Sequence, residues 1–152
     1  MTEQEIQESL TSHAFFRGLS ESHLATISAC AKNANFSGGQ FLGREGVLAH
    51  ALYVIHSGRV AIEIHTPNRG SVRIQTVEPG ELVGWSWLMP PHRWQFDARA
   101  MEPVQSLALD ALCLRGKCEQ DHELGYALLM RLVAVISSRL TATRLQLLDI
   151  YR

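Results

Sequence analysis

Over the first thirty positions the apolar residues recur at helical spacing. In residues 3–12, Ile6 and Leu10 stand four apart among polar neighbours, which predicts a short amphipathic helix. A turn at Gly18, an N-cap at Ser20 and Glu21 in the first turn open a second helix, with Leu24, Ile27 and Cys30 or Ala31 on its inner face. After Asn35 the period changes. "SGGQ" is a turn, and "ALYVIHSGRVAIEIH" reads as two strands joined at Ser57-Gly58. In the second strand Val60, Ile62 and Ile64 alternate with Ala61, Glu63 and His65. "TPNRGS" is a hairpin loop, and "SVRIQTV" alternates Val72, Ile74 and, with one slip, Val77. "FDARA" and "VQSLALD" give two more short strands, and from about Asp121 the pattern is helical to the end. Short strands divided by Gly and Pro turns predict an antiparallel roll or sandwich, so the fold class is mainly β with flanking helices.

The C-terminal segment carries two apolar stripes. Leu129, Ile136, Thr143 and Ile150 stand seven apart, as do Val133, Leu140 and Leu147. Together they make a heptad seam broken only by Thr143. Leu128, Leu132, Val135, Ala142 and Leu145 form the second stripe. One stripe can bind the helix to its own roll and leave the other for a second helix. The expectation is a homodimer through Leu129, Val133, Ile136, Leu140, Leu147 and Ile150, against the alternative that both stripes are buried in a monomer. Arg131, Arg139 and Arg144 read as a solvated face, ahead of an anion site.

Composition narrows the function classes. The 152 residues suit one domain, and a formal net charge of −1 gives no global attraction to nucleic acid or an anionic membrane. Unbroken apolar runs are too short for a bilayer, and the polar N-terminus is no secretory signal. Cys30, Cys113 and Cys118, with no CxxC, read as structural thiols of a reducing compartment, so a cytoplasmic location is expected. His50, His56, His65 and His92 include no HxH pair, and no metal site is expected. Cys113 and Cys118 are too few for an iron–sulfur cluster. "GWSWL" is not a nucleophile elbow, and Glu81, Asp97 and Asp110 form no recognisable pair. No catalytic residue emerges, and an enzyme is not expected.

Local motifs suggest a family. "FFRGLSESHLATI", "FSGGQFLGREGVLAHALYVIHSGRVAIEI" and "EPGELVG" resemble successive segments of the cyclic nucleotide-binding domain superfamily. "LLMRL" and the Leu-rich tail are similar to the dimerisation helix of its catabolite-activator-like branch. The resemblance implies an eight-stranded antiparallel, jelly-roll-like β-roll (33–115) between short N-terminal helices (1–32) and C-terminal helices (116–152) that include one long helix. It also implies a ligand between roll and long helix. "EPGELVG" would open the phosphate-binding cassette, which makes Gly80, Glu81, Gly84, Trp85, Ser86, Arg93, Trp94, Gln95 and Thr143 the candidate pocket. The cassette departs from the family pattern. Trp85 stands where the family places a ribose-binding Glu, and Trp94 where it places the Arg that pairs with the cyclic phosphate; Arg93 is one residue off. Trp85 and Trp94 either plug the pocket or line a site for a different ligand, and a shifted loop would still let Arg93 meet an anion.

The branch's helix-turn-helix is not among these residues, so no direct nucleic-acid contact and no membrane contact are expected. The expected function is a stand-alone, non-enzymatic regulatory or sensor module with weak or no cyclic AMP binding. Its cofactor expectation is none, an unidentified small-molecule or nucleotide effector aside, and a protein partner is an additional expectation. The alternatives are a cyclic nucleotide regulator with a shifted cassette and a filled-pocket protein-interaction module.

Overall fold

The computed structural model describes residues 2–150. Helix α1 (Glu3–Ser12) begins at a capping box, in which the Thr2 hydroxyl accepts from the Glu5 amide and the Glu5 carboxylate accepts from the Thr2 amide. A 3-10 turn (Ala14–Phe16) leads to α2 (Glu21–Ser28), capped by Ser20 as the sequence predicts. Eight strands follow: β1 (Ala31–Phe36), β2 (Phe41–Gly43), β3 (Ala51–Ser57), β4 (Val60–Thr66), β5 (Gly70–Val77), β6 (Leu82–Val83), β7 (Asp97–Ala100) and β8 (Val104–Asp110). They form two four-stranded antiparallel sheets, ordered β1-β8-β3-β6 and β2-β7-β4-β5. Helices α3 (Ala111–Gln120) and α4 (His122–Ile150) complete the described chain.

The period-2 pattern of β3 and β8 explains how one sheet serves two cores. Leu52, Val54, Leu107 and Leu109 point outward and pack under Phe16, Ile27, Leu114, Leu124, Leu128 and Leu132 of the helical elements. Ile55 and Val104, on the opposite face, join Val60, Ile62, Val77, Val83 and Phe96 inside the roll. The slip in "SVRIQTV" is a β-bulge. Ile62 pairs with Gln75 and Glu63 with Arg73, so Ile74 has no opposite number and lies exposed.

Several boundaries differ from the sequence reading. Ala31 belongs to β1, because the α2 helix closes at Ala29 and the polar run "AKNANF" pairs with β8 from Ala31↔Leu109 to Phe36↔Val104. The roll ends at Asp110 rather than 115, because the Asp110 carboxylate caps α3 by accepting from the Cys113 amide. Ala61 and Glu63, which alternate with Val60 and Ile62, are buried as well, since β4 is a central strand and Glu63 meets Arg99 in a two-point ion pair. Cys30 and Cys113 are joined in a disulfide, not free thiols. The β1–β8 register and the α3 cap bring their Cα atoms to 5.6 Å, a separation that a bridge requires. Only Cys118 remains a thiol, pushed up by burial and by Asp121 and Glu119. The disulfide removes the basis on which a reducing compartment was expected.

Helix α4 runs well beyond the roll. Leu124, Leu128 and Leu132 are buried, whereas every residue from Thr141 to Ile150 is exposed. The second stripe therefore holds the roll only at its start, and Ala142 and Leu145 are exposed. By length and composition alone α4 is apolar enough to cross a membrane, although no unbroken apolar run is long enough, because Arg131 and Arg139 interrupt the sequence.

Candidate functional site

Two left-handed glycines frame the turn before and after β6. Gly80 has φ +92° and Gly84 has φ +94°, a region that side chains with a Cβ rarely adopt. Gly80 locks the turn to β3, its amide donating to the Ile55 carbonyl at 2.8 Å while the Ile55 amide donates to Glu81 O at 3.0 Å. After Gly84 a single 3-10 turn (Trp85–Trp87) follows.

The roll interior next to this turn is occupied by Trp94. Its side chain is 3% exposed. It stacks on Tyr53 at a centroid distance of 6.4 Å and meets Phe96 edge-on at 5.8 Å. A Cβ on Gly43 would lie 1.9 Å from the Trp94 ring, and one on Gly84 would lie 2.9 Å from it. Two glycines thus leave the space that the indole takes. Trp85 is half-buried and meets Phe96 at 5.7 Å. The Arg139 guanidinium of α4 sits 4.7 Å above the Trp85 ring and donates to the Leu82 carbonyl at 2.6 Å. Burial makes its charged form costlier and pulls its pKa down, against a smaller opposing effect of Glu81.

The other predicted residues separate. Ser86 is buried in the 3-10 turn. Arg93 is exposed and donates to Gly46 O at 2.8 Å, and its neighbour's amide, that of Trp94, donates to Val47 O at 2.9 Å. The pairing of 46–48 with 93–94 turns Arg93 outward as Trp94 turns inward, so Arg93 does not reach the interior. Gln95 is also exposed and donates to Arg93 O. Thr143 is exposed and donates back to Arg139 O at 2.9 Å, on the part of α4 that leaves the roll.

Gly80 and Glu81 face a different space. They line a cleft of about 470 Å³ between the β6 turn, the 3-10 turn after α1, and α4. Arg17, Arg131 and Arg139 line the same cleft. Arg131 and Arg139, expected on a solvated face, are both half-buried, because α4 presents them to the turns flanking the roll. Their i, i+8 spacing with Val135 midway is the signal that places all three on one helix face.

The carboxylates considered for chemistry cap backbone. Glu81 accepts from the Glu78 amide, Asp97 from the Glu45 amide and Asp110 from the Cys113 amide. His23, Asp121 and Glu123 offer ligand atoms within 4.8 Å of one another. His23 Nε2 lies 3.1 Å from Asp121 Oδ2, and Asp121 Oδ1 accepts from the Glu123 and Leu124 amides at the start of α4. That cluster is a helix cap in which Asp121 also meets the His23 ring.

Residues 34–121 match the cyclic nucleotide-binding domain family. Among solved structures, a protein described as cyclic nucleotide-binding from Geobacter metallireducens GS-15 is 27% identical with a TM-score of 0.79, over 88% of this chain and 97% of that one. The sensor domain of the transcriptional regulator DNR from Pseudomonas aeruginosa is 26% identical, TM-score 0.72, over 91% and 93% of the two chains. The N-terminal domain of a transcriptional regulator from Streptomyces coelicolor A3(2) is 25% identical, TM-score 0.69, over 88% and 93%. No curated protein matches the sequence.

Proposed function

Because the chain belongs to the cyclic nucleotide-binding domain family, we propose that it is a regulatory module whose family pocket is filled by its own Trp94 and takes no cyclic nucleotide with useful affinity. The observation that carries this is the burial of Trp94 against Gly43, Gly84 and Tyr53, with Arg93 turned outward to Gly46. A cyclic phosphate entering the roll would lose its hydration and meet an indole where a guanidinium is needed. The capping roles of Glu81, Asp97 and Asp110 favour a module that works by binding rather than by catalysis.

The output runs through α4. Arg139 joins that helix to the β6 turn and to Trp85, so a shift of the turn shifts the helix. The exposed seam on α4 pairs with a second copy of the chain, and the dimer transmits the change. Calorimetric titration with cyclic AMP tests the pocket. The expected result is no saturable binding at micromolar ligand, since loss of two charge-assisted contacts of roughly 1.5–3 kcal/mol each costs several orders of magnitude in affinity. A micromolar or tighter complex would contradict the proposal.

A further inference from the structure

The cleft between α4 and the β6 turn holds more positive charge than the fold uses. We propose that it is a binding site for a small anion with an apolar body, a carboxylate or phosphate on an acyl chain or aromatic ring, held by Arg17, Arg131 and Arg139. Among the described residues, none of these three is within ion-pair distance of a carboxylate, whereas Arg59 and Arg99 each have one at 2.8–2.9 Å. Glu81 is the acidic residue of the cleft wall; it offsets the desolvation of Arg139 only in part and from beyond ion-pair distance, and one of its oxygens is taken by the Glu78 amide.

The Arg131 and Arg139 guanidinium groups are held in place without being used up. Arg131 donates to Ala127 O at 3.1 Å and to Arg17 O at 2.9 Å, and Arg139 donates to Leu82 O. A guanidinium carries five N–H donors, so both retain several for a ligand. A half-buried cation without a counterion is poorly solvated, and an anion that enters beside it recovers that cost with charge-assisted, two-point hydrogen bonds. Desolvation already works against the charge of Arg139. Phe15, Leu82 and Val135 line the same cleft and supply apolar wall beyond the charged edge. A bare inorganic ion would leave that wall wet; an anionic amphiphile covers it.

This site lies outside the roll interior, so it stands whether or not cyclic AMP binds there. The test is calorimetric titration of the intact protein with sodium decanoate and with 1-naphthyl phosphate, and with decanol as the neutral counterpart. Both anions are expected to bind saturably, and decanol at least about tenfold more weakly. Arg131→Gln and Arg17→Gln are each expected to weaken the anions by about tenfold or more. The Arg17 side chain is exposed, so Arg17→Gln remains informative should Arg131→Gln disturb the contact with residue 17. Equal affinity for decanol would show an apolar groove without an anion site. Anion binding unchanged in a folded Arg17→Gln or Arg131→Gln protein, or no saturable binding of either anion, would overturn the proposal.

Discussion

Trp94 fills space inside the roll that two glycines leave for it. Its indole needs Gly43 and Gly84, since a methyl group at either would meet the ring at 1.9 and 2.9 Å. The sequence shows an indole at this position, but not the close approach of Gly43 to its ring, because that approach depends on β2 pairing with β7, which follows the loop carrying Trp94. A second residue-scale feature was also hidden. His13 is buried, its Nδ1 accepts from the Phe15 amide, and its Nε2 is buried without a partner. Burial, then the nearby charge of His56, hold its pKa below the ordinary 6.5; burial does the same for His56, which contacts the Ser9 hydroxyl. In both cases the folded protein binds protons less readily than the unfolded chain. The stability they lend is complete above pH 6.5 and is lost as pH falls through that value toward their folded pKa values. Glu63, held below its ordinary 4.5 by Arg99, adds a further loss only at more acid pH. The urea midpoint is therefore expected to drop between about pH 7.5 and 5.5, and His13→Asn with His56→Gln should flatten that drop. A wild-type midpoint that is constant over this interval would refute the assignment.

At the scale of elements, α4 is the clearest sequence signal and the least determined by the fold. The heptad was plain in the sequence, and in the structure Leu129, Val133, Ile136, Leu140, Leu147 and Ile150 are all exposed, from 40% to 73%. Such a face left in water is a large apolar patch, which the proposed pairing with a second copy would cover. If α4 pairs about a two-fold axis, Ile136→Glu with Leu140→Glu sets like charges across the seam and should give monomers with the fold intact. Sedimentation velocity at micromolar concentration reads this out; a wild-type protein that already sediments as a monomer would contradict the pairing. The short elements were harder to read. Strand β1 is polar because one side faces solvent, and β2 and β6 have three and two residues, too few to show a period. The C-terminal helices, expected from 116, begin with α3 at Ala111, because its start is set by the Asp110 cap and the tether to Cys30.

For the whole molecule, the eight-stranded roll and the family were legible because turns, strands and terminal helices followed each other in the expected order. The cleft was not, since Arg17 lies 114 positions from Arg131, and only the docking of α4 joins them. The proposed function depends most on the roll interior being occupied by the protein's own indole. The most direct measurement is acrylamide quenching of a single-tryptophan protein, Trp85→Phe with Trp87→Phe, in which Trp94 alone emits. Blue-shifted emission, weak quenching without any ligand, and no change when millimolar cyclic AMP is added are expected. Strong quenching, or an emission that cyclic AMP shifts, would mean that the interior is open and Trp94 lines a ligand site instead of filling it.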